Sequence, residues 1–201
     1  MSFPDRIAIA SRNAGKIREI RSICADWPVV WLTAHEHEGP WPGVEETGAS
    51  YLENALLKAR AVADSVGVPA MADDSGIEVD ALGGAPGPRS ARYAGEEATD
   101  EQNLRMLIRA VAGVPAEGRT ARYRCVALLA WPDGRDVWAE GTCEGSLVSK
   151  SRGTGGFGYD PIFVPAGWEQ TMAELPPEEK DRISHRGRAF RALRELVDRD
   201  P

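Results

Sequence analysis

The hydrophobic pattern of the N-terminal segment changes from strand spacing to helix spacing, and this change most constrains the fold. Residues 6–11 (RIAIAS) form a short β-branched run. Apolar residues then recur at helical intervals, at Ile17, Ile20 and Ile23. Asn13 stands between the two patterns, where a helix N-cap is expected. The chain therefore begins with a predicted strand–turn–helix unit, which favours an α/β fold.

The rest of the chain continues to alternate between the two patterns. Further strands are predicted at residues 29–32, 119–131 and 137–143. Residues 70–80 are interpreted as two strands that meet at an acidic turn, 73–76. Further helices are predicted after Ser50, Thr99 and Ser184, the first two from capping-box pairs with Glu53 and Gln102. Since no repeat, low-complexity tail or linker interrupts the pattern, we predict a single α/β domain over residues 1–201, with two lobes.

Charge and cysteine usage limit the partners that we expect. The 201 residues carry a net charge of −7 and no basic block, which argues against a groove that follows nucleic-acid phosphates. Three cysteines without a CxxC pair indicate a reducing compartment. The chain has no leader-like apolar segment, and no apolar run approaches the ~20 residues that a membrane span needs. We therefore expect a cytoplasmic protein that binds neither nucleic acid nor membrane.

The acidic pair Asp73–Asp74 is the first candidate for chemistry. Neighbouring residues on a regular strand point to opposite faces, so the two carboxylates can take different roles. One of them can bind a hard cation such as Mg²⁺, which prefers oxygen ligands. A DDSG sequence is more often an ordinary acidic turn, so this motif alone does not specify a site.

A candidate anion site lies at residues 11–16 (SRNAGK), in the predicted strand-to-helix turn. A helix start offers backbone N–H groups to an anion, Gly15 permits close backbone approach, and Lys16 adds a positive charge. The spacing is not that of a Walker A loop. A capped helix with a solvated lysine is the alternative at this point.

The helix after Ser50 carries Asn54 and Lys58 on one face, away from its apolar residues. This polar pair suggests a helix that packs on one side and borders a cleft on another.

Two C-terminal segments are candidates for recognising a flat, polar ligand. Phe157 or Tyr159, which follow a glycine-rich loop, could stack on a base, or could instead form a core-facing aromatic pair. Residues 180–186 place cationic groups around a helix start, where they oppose the helix dipole. An anion or a carbonyl-bearing ligand would relieve that conflict.

Taken together, these segments resemble the inosine triphosphate pyrophosphatase family, the non-standard purine NTP pyrophosphatases. The matching motifs are SRNAGK (11–16), EETG…ENALLKA (45–59), ADDSGIEVDALGGAPGPRSARYAG (72–95), GTGGFGYDPIF (153–163) and AELPPEEKDRISHRGRA (173–189). They follow the family's order and span nearly the whole chain. Arg12 departs from the pattern, because a glycine is common at that position, and Pro88–Arg89 departs where a small hydrophobe and a tyrosine are common.

The resemblance implies an elongated mixed β-sheet flanked by helices, with two lobes around a central cleft, usually in a homodimer. It implies Mg²⁺-dependent hydrolysis of ITP, dITP and XTP to the nucleoside monophosphate and pyrophosphate. Arg92 and Tyr93 could serve either the cleft or the dimer contact.

The resemblance also implies roles for individual residues. By its position in the motif, Asp74 resembles the family's general base, and Asp73 is expected to support it. The metal is expected to bind Asp74 and a second acidic residue, for which Glu46 is preferred over Glu45. The catalytic set is Asp73, Asp74, Lys16 and Lys58. The contacts to phosphate and sugar are expected from Ser11, Arg12, Asn13, Ala14, Gly15, Lys16, Lys58 and Ser75. The base pocket is expected from Phe157, Gly158, Tyr159, Asp160, Lys180, His185 and Arg186.

Two alternatives remain open at this point. A pyrophosphatase of related fold could act on pyrimidine or modified nucleotides, and turnover of dTTP and UTP would reveal it. A non-catalytic nucleotide sensor would bind nucleotide without releasing pyrophosphate. The intact set of Asp73, Asp74, Glu46 and the two lysines argues against a sensor.

Overall fold

The computed structural model describes residues 3–199, which contain one six-stranded sheet in the order β2-β1-β3-β4-β5-β6. The strands are β1 (Arg6–Ile9), β2 (Val30–Leu32), β3 (Ala70–Val79), β4 (Thr120–Ala130), β5 (Asp136–Leu147) and β6 (Phe163–Pro165). The α-helices are α1 (Ala14–Ile23), α2 (Tyr51–Val66), α3 (Asp100–Ala110), α4 (Pro177–Ile183) and α5 (His185–Arg199). Since β1 runs parallel to β2 and β3 while β5 and β6 are antiparallel, the predicted mixed α/β sheet is confirmed.

The chain divides into two compact units. The first comprises the described residues within Met1–Asp74, Cys125–Gly141 and Arg186–Pro201, and the second comprises Ser75–Arg124 and Thr142–His185. This division agrees with the two lobes that the resemblance implies. A single domain and a central cleft stay predictions.

The first unit covers both faces of β1 with apolar side chains. Ile7 and Ile9 pack in one cluster with Phe190 of α5, whereas Ala8 packs in another cluster with Ala55 of α2. Successive strand residues point to opposite faces, and a strand covered on both faces has an almost continuous apolar sequence. This explains why the predicted strand at residues 6–11 is apolar nearly throughout.

The second unit has its own core around the distal half of β3. Ile77 and Val79 are fully buried with Leu107 of α3, with Phe163 at the start of β6 and with Ile162 just before it. Each unit therefore contains a core of its own.

The prediction of two strands meeting at an acidic turn is wrong. β3 runs without interruption from Ala70 to Val79, and Asp73 and Asp74 lie in the middle of it, both buried. Aspartate, serine and glycine are depleted in strands, so the local composition favours a turn. The strand continues because the surrounding structure supplies partners to both carboxylates.

The predicted helix starts are confirmed, with one difference in capping. Thr99 and Gln102 form a complete capping box at α3. Ser50 accepts a hydrogen bond from the backbone N–H of Glu53, but the Glu53 carboxylate accepts from the N–H of Ala49 at 2.6 Å. In a complete capping box the Glu53 carboxylate would accept from the N–H of Ser50, so this hydrogen bond lies one residue earlier than predicted.

The strand boundaries differ slightly from those predicted. β2 and β4 are each shorter, whereas β5 extends to Leu147, four residues beyond the predicted end. The extension pairs Gly145 to Leu147 with β6. No helix among residues 3–199 is both long and apolar enough to cross a membrane.

Phe190→Ala tests the core of the first unit. Phe190 is fully buried, so its truncation should lower the free energy of unfolding by about 3–5 kcal/mol, measured by urea denaturation. Leu196→Ala, on an exposed part of the same helix, is the control and should cost less than about 1 kcal/mol. Equal losses in the two variants would contradict this assignment of the core.

Candidate active site

Asp73 and Asp74 of β3 have different partners within the first unit. Asp73 Oδ2 lies 3.1 Å from Lys16 Nζ and 3.0 Å from Arg186 Nη2. Asp74 Oδ1 lies 3.0 Å from Lys58 Nζ, and Asp74 Oδ2 accepts from Asn54 Nδ2 at 3.3 Å. Consecutive residues of one strand thus present two carboxylates to separate groups, as the alternation of strand side chains requires.

The turn between β1 and α1 places Lys16 beside Asp73. Asn13 caps α1, because its Oδ1 accepts from the backbone N–H of Lys16 at 3.0 Å, and Ser11 Oγ accepts from the N–H of Asn13 at 3.2 Å. The predicted N-cap is therefore confirmed. Arg12 is exposed and donates to the carbonyl of Trp41 at 3.1 Å. Ala14 and Gly15 form the first turn of α1, where a helix presents N–H groups to an anion.

Lys58 joins two acidic segments. Its Nζ lies 2.8 Å from Glu46 Oε1, 3.0 Å from Asp74 Oδ1 and 2.8 Å from the carbonyl oxygen of Asp73. Glu46 and Asp74 therefore converge on one positive group. Glu45 is exposed, so the geometry favours Glu46 over Glu45 as the second acidic residue of the site.

The carboxylate oxygens of Glu46 and Asp74 are suitable ligands for a hard divalent cation. Mg²⁺ is typically bound by one or two carboxylates and completed by water and substrate phosphates. Glu46 and Asp74 supply two carboxylates directed at a common position. Among residues 3–199, no group of three or more His, Cys, Asp and Glu side chains is arranged to hold a metal.

The electrostatic environment distinguishes the two aspartates. Burial disfavours ionisation of Asp73, but Lys16 and Arg186 outweigh it and hold the pKa of this carboxyl well below its usual range. For Asp74, burial dominates over the attraction of Lys58 and raises the pKa of the carboxyl. The pKa of Lys58 is also raised, because its acidic neighbours outweigh the effect of burial. Asp73 is therefore a fixed anion, whereas Asp74 accepts a proton more readily.

Arg186 is almost completely buried at the start of α5. Its guanidinium pairs with Asp73 and also with Glu19 of α1. Although burial opposes the charge, these two carboxylates raise the pKa of Arg186. The structure thus places Arg186 with the Asp73 cluster, and its expected contact with a base stays a prediction.

In the second unit, Asp160 connects the glycine-rich loop to α4. Its Oδ2 accepts from the backbone N–H of Phe157 at 2.8 Å and forms a buried ion pair with Lys180 Nζ. The same Nζ lies 5.1 Å from the centroid of the Phe157 ring. Gly156 has a φ of +69°, and a methyl group there would lie 2.1 Å from Asp160 Oδ2, so this turn requires glycine.

The two aromatic candidates for base stacking have different exposure. Tyr159 is buried and donates its hydroxyl to the carbonyl of Ser90 at 2.7 Å, and burial raises the pKa of its phenol. Phe157 is half-buried. Tyr159 therefore matches the core-facing alternative, and Phe157 is the aromatic with accessible surface. Gly158, between them, donates its N–H to Asp100 at 3.1 Å.

His185 lies against Tyr123 in the second unit. Their rings stack with centroids 4.5 Å apart and an interplanar angle of 8°. Tyr123 also donates to Asp160 Oδ1 at 3.3 Å, so the predicted residues His185, Asp160 and Lys180 share one set of contacts. Ser75 is half-buried and follows Asp74 directly in β3.

Comparison with known proteins identifies the family of the chain. The family model described as the Ham1 family matches residues 7–196. The chain belongs to the Ham1 family. It is 50% identical over 196 residues to a dITP/XTP pyrophosphatase of Streptomyces coelicolor, with 96% of each chain covered. It is 47% identical to the dITP/XTP pyrophosphatase of Geobacter sulfurreducens, covering 94% of this chain and 95% of the relative.

Solved structures of Ham1 proteins share the fold. The Ham1 protein of Staphylococcus aureus superposes with a TM-score of 0.83 at 39% identity, covering 98% of this chain and all of the other. A dITP/XTP pyrophosphatase of Mycobacterium abscessus superposes with a TM-score of 0.74 at 43% identity, covering 94% and 98%. The family predicted from the motifs is therefore confirmed.

Three residues that contact predicted site residues within their own unit were not themselves predicted: Glu19 and Asn54 in the first unit, and Tyr123 in the second. Glu19 lies three residues after Lys16 on α1, and such neighbours share a helix face. Asn54 shares the polar face of α2 with Lys58, a pairing that the sequence does reveal. Tyr123 gives no comparable signal, because an aromatic residue in a strand usually belongs to the core.

Asp73→Asn tests the ion pairs of this Ham1-family protein. Removing one partner should lower the free energy of unfolding at pH 7 by about 3–5 kcal/mol, because Lys16 and Arg186 lose a buried anion. A carboxyl with a depressed pKa stabilises the fold above its unfolded pKa of about 3.9, and this contribution is lost as pH falls further. The wild type should therefore lose more stability than Asp73→Asn between about pH 5 and pH 3.

Urea denaturation at a series of pH values measures both effects. Asp64→Asn, an exposed change on α2, is the control and should stay within about 0.5 kcal/mol of the wild type. Identical pH profiles for the wild type and Asp73→Asn would rule out the proposed pairing.

Proposed function

We propose that the protein hydrolyses the non-standard purine nucleoside triphosphates ITP, dITP and XTP to the nucleoside monophosphate and pyrophosphate. The observation that carries this proposal is the cluster on β3. There a buried carboxyl with a raised pKa, Asp74, lies beside Lys58, while Asp73 is fixed by Lys16. The names of the Streptomyces and Geobacter relatives support the same activity.

In the proposed reaction, water attacks the α-phosphorus. Asp74 accepts a proton from the water as the new P–O bond forms, and the bond from the α-phosphorus to the bridging oxygen breaks. Pyrophosphate leaves with that electron pair. A positioned general base typically contributes ~10²–10⁴-fold to the rate. The raised pKa of Asp74 suits this role, because it makes the carboxylate a stronger proton acceptor than an ordinary aspartate.

Lys16, Lys58 and the start of α1 are proposed to bind the triphosphate. Both lysines are close to the β3 carboxylates, and the first turn of α1 supplies N–H donors. Cationic groups placed where charge develops on the leaving group stabilise the transition state.

A divalent cation, proposed to be Mg²⁺, would be held by Glu46 and Asp74. When bound, the cation would neutralise part of the negative charge of the substrate phosphates. The support is the convergence of these two carboxylates on Lys58 Nζ.

Base selection is proposed to rest on hydrogen-bond donors that match the 6-oxo group of hypoxanthine and xanthine. Lys180, His185 and Arg186 are the candidates from the sequence motifs. Adenine presents N6 hydrogens at the same position, and a site that leaves buried polar groups unpaired can reject a ligand by up to ~10⁴–10⁵-fold. The half-buried Phe157 is proposed to stack on the base.

The cellular setting is proposed from the family resemblance and from the composition. A cytoplasmic homodimer acting on free nucleotides is consistent with the net charge of −7 and with the absence of a basic block in the sequence.

A nucleotide panel tests the proposed function. The purified protein with Mg²⁺ is supplied with ITP, dITP, XTP, ATP, GTP, dTTP and UTP, and pyrophosphate and orthophosphate are measured separately. We expect pyrophosphate from ITP, dITP and XTP, with at most slow turnover of ATP. Preference for dTTP or UTP would support the related pyrimidine activity, and orthophosphate as the product would exclude the proposed reaction.

Asp74→Asn tests the general base. The amide cannot accept the proton, so kcat for ITP should fall by ~10²–10⁴-fold. Binding of ITP, measured by calorimetry, should be largely retained, because Lys16 and α1 are unchanged. Asp64→Asn again serves as the control. A kcat near the wild-type value in Asp74→Asn would remove this residue from the base role.

A further inference from the structure

Asn54 is a fully buried polar residue that contacts two separate segments of the first unit. Its Oδ1 accepts from the backbone N–H of Gly48 at 2.8 Å, and its Nδ2 donates to Asp74 Oδ2 at 3.3 Å. The orientation of the amide follows from its partners, because a backbone N–H can only donate and a carboxylate can only accept. Asn54 thus links the loop before α2 to the centre of β3.

Gly48 makes this link possible. A methyl group on Gly48 would lie 2.7 Å from Asn54 Oδ1 and 3.0 Å from the backbone nitrogen of Asn54. Any other residue at this position would therefore push the loop away from α2. Gly48 is only two residues after Glu46, so the same contact holds the segment that carries the second carboxylate.

We propose that Asn54 is a positioning residue that sets the separation of Glu46 and Asp74. The inference rests on the proposed function, in which these two carboxylates hold a divalent cation. In this proposal Asn54, which is fully buried, does not contact the substrate. It acts by holding one oxygen of Asp74 and, through Gly48, the backbone next to Glu46.

The chemistry of the amide suits this task. Lys58 already binds both carboxylates through one ammonium at the end of a flexible chain. Asn54 has a short side chain, and its Nδ2 donates to Asp74 without adding a positive charge that would repel a cation. Groups that orient metal ligands typically affect metal affinity by about 10–100-fold when they are removed.

Two variants perturb the link from opposite ends. Asn54→Leu keeps the branched heavy-atom skeleton of the side chain but neither donates nor accepts, and Gly48→Ala leaves the amide intact but displaces the loop. The probe is Mn²⁺ alone, titrated into nucleotide-free protein and followed by electron paramagnetic resonance. Both variants should raise the Kd for Mn²⁺ by about 10-fold or more. Hydrolysis of ITP should then need more Mg²⁺ and recover towards the wild-type rate at high Mg²⁺.

Asn103→Leu is the matched control. Asn103 is also buried and also bridges two groups, but both are backbone groups of the second unit: it accepts from the N–H of Ala94 at 2.8 Å and donates to the carbonyl of Ala91 at 2.9 Å. It should lose stability without a change in the Kd for Mn²⁺. Because Asn103→Leu should bind Mn²⁺ as the wild type does, a raised Kd confined to Asn54→Leu and Gly48→Ala separates positioning from general destabilisation.

The Mn²⁺ titrations can overturn the inference in three ways. A wild-type Kd for Mn²⁺ in folded Asn54→Leu overturns the inference, and if that variant does not fold, a wild-type Kd in Gly48→Ala overturns it. A wild-type protein that binds no Mn²⁺ also overturns it. If the wild type binds Mn²⁺ but releases no pyrophosphate from ITP, the proposed function fails while the Mn²⁺ titrations of the variants still decide the role of Asn54.

Discussion

The ion pairs of Asp73 with Lys16 and Arg186 are the interactions on which the rest of the site depends. A buried carboxylate is strongly destabilising unless cations and hydrogen bonds compensate for its lost hydration. Here the compensation comes from the start of α1 and from the start of α5, which both contact the middle of β3. The same contacts keep β3 continuous through a sequence that favours a turn, and they hold Lys16 in place.

The pKa of Asp74 is shifted in the opposite direction from that of Asp73, because the two carboxylates have different neighbours. It lies between Lys58 and Asn54, and burial rather than cationic neighbours dominates its pKa. One strand therefore supplies a permanent anion and a proton acceptor at adjacent positions. Such a division of roles suits hydrolysis of an anhydride, where a base must act beside groups that bind the phosphates.

Much of the fold and of the residue inventory could be predicted from the sequence. The strand–helix alternation outside β3, the caps at Asn13 and Thr99, and the family motifs are local signals, and these were confirmed. The continuity of β3 could not be predicted, because local propensity favours a turn and the stabilising partner Arg186 lies 113 residues away from Asp73. The roles of Glu19 and Asn54 depend on the same kind of long-range contact. The sequence places Glu19 and Asn54 on predicted helices, but it does not show that their partners are Arg186 and Asp74.

The site of water attack tests the central claim most directly, namely that the β3 cluster directs water to the α-phosphorus. Hydrolysis of ITP in water enriched in ¹⁸O, followed by mass spectrometry of both products, locates the new oxygen. We predict that the label appears in the phosphate of inosine monophosphate and that pyrophosphate is unlabelled. Label in pyrophosphate would mean attack at the β-phosphorus and would contradict the account.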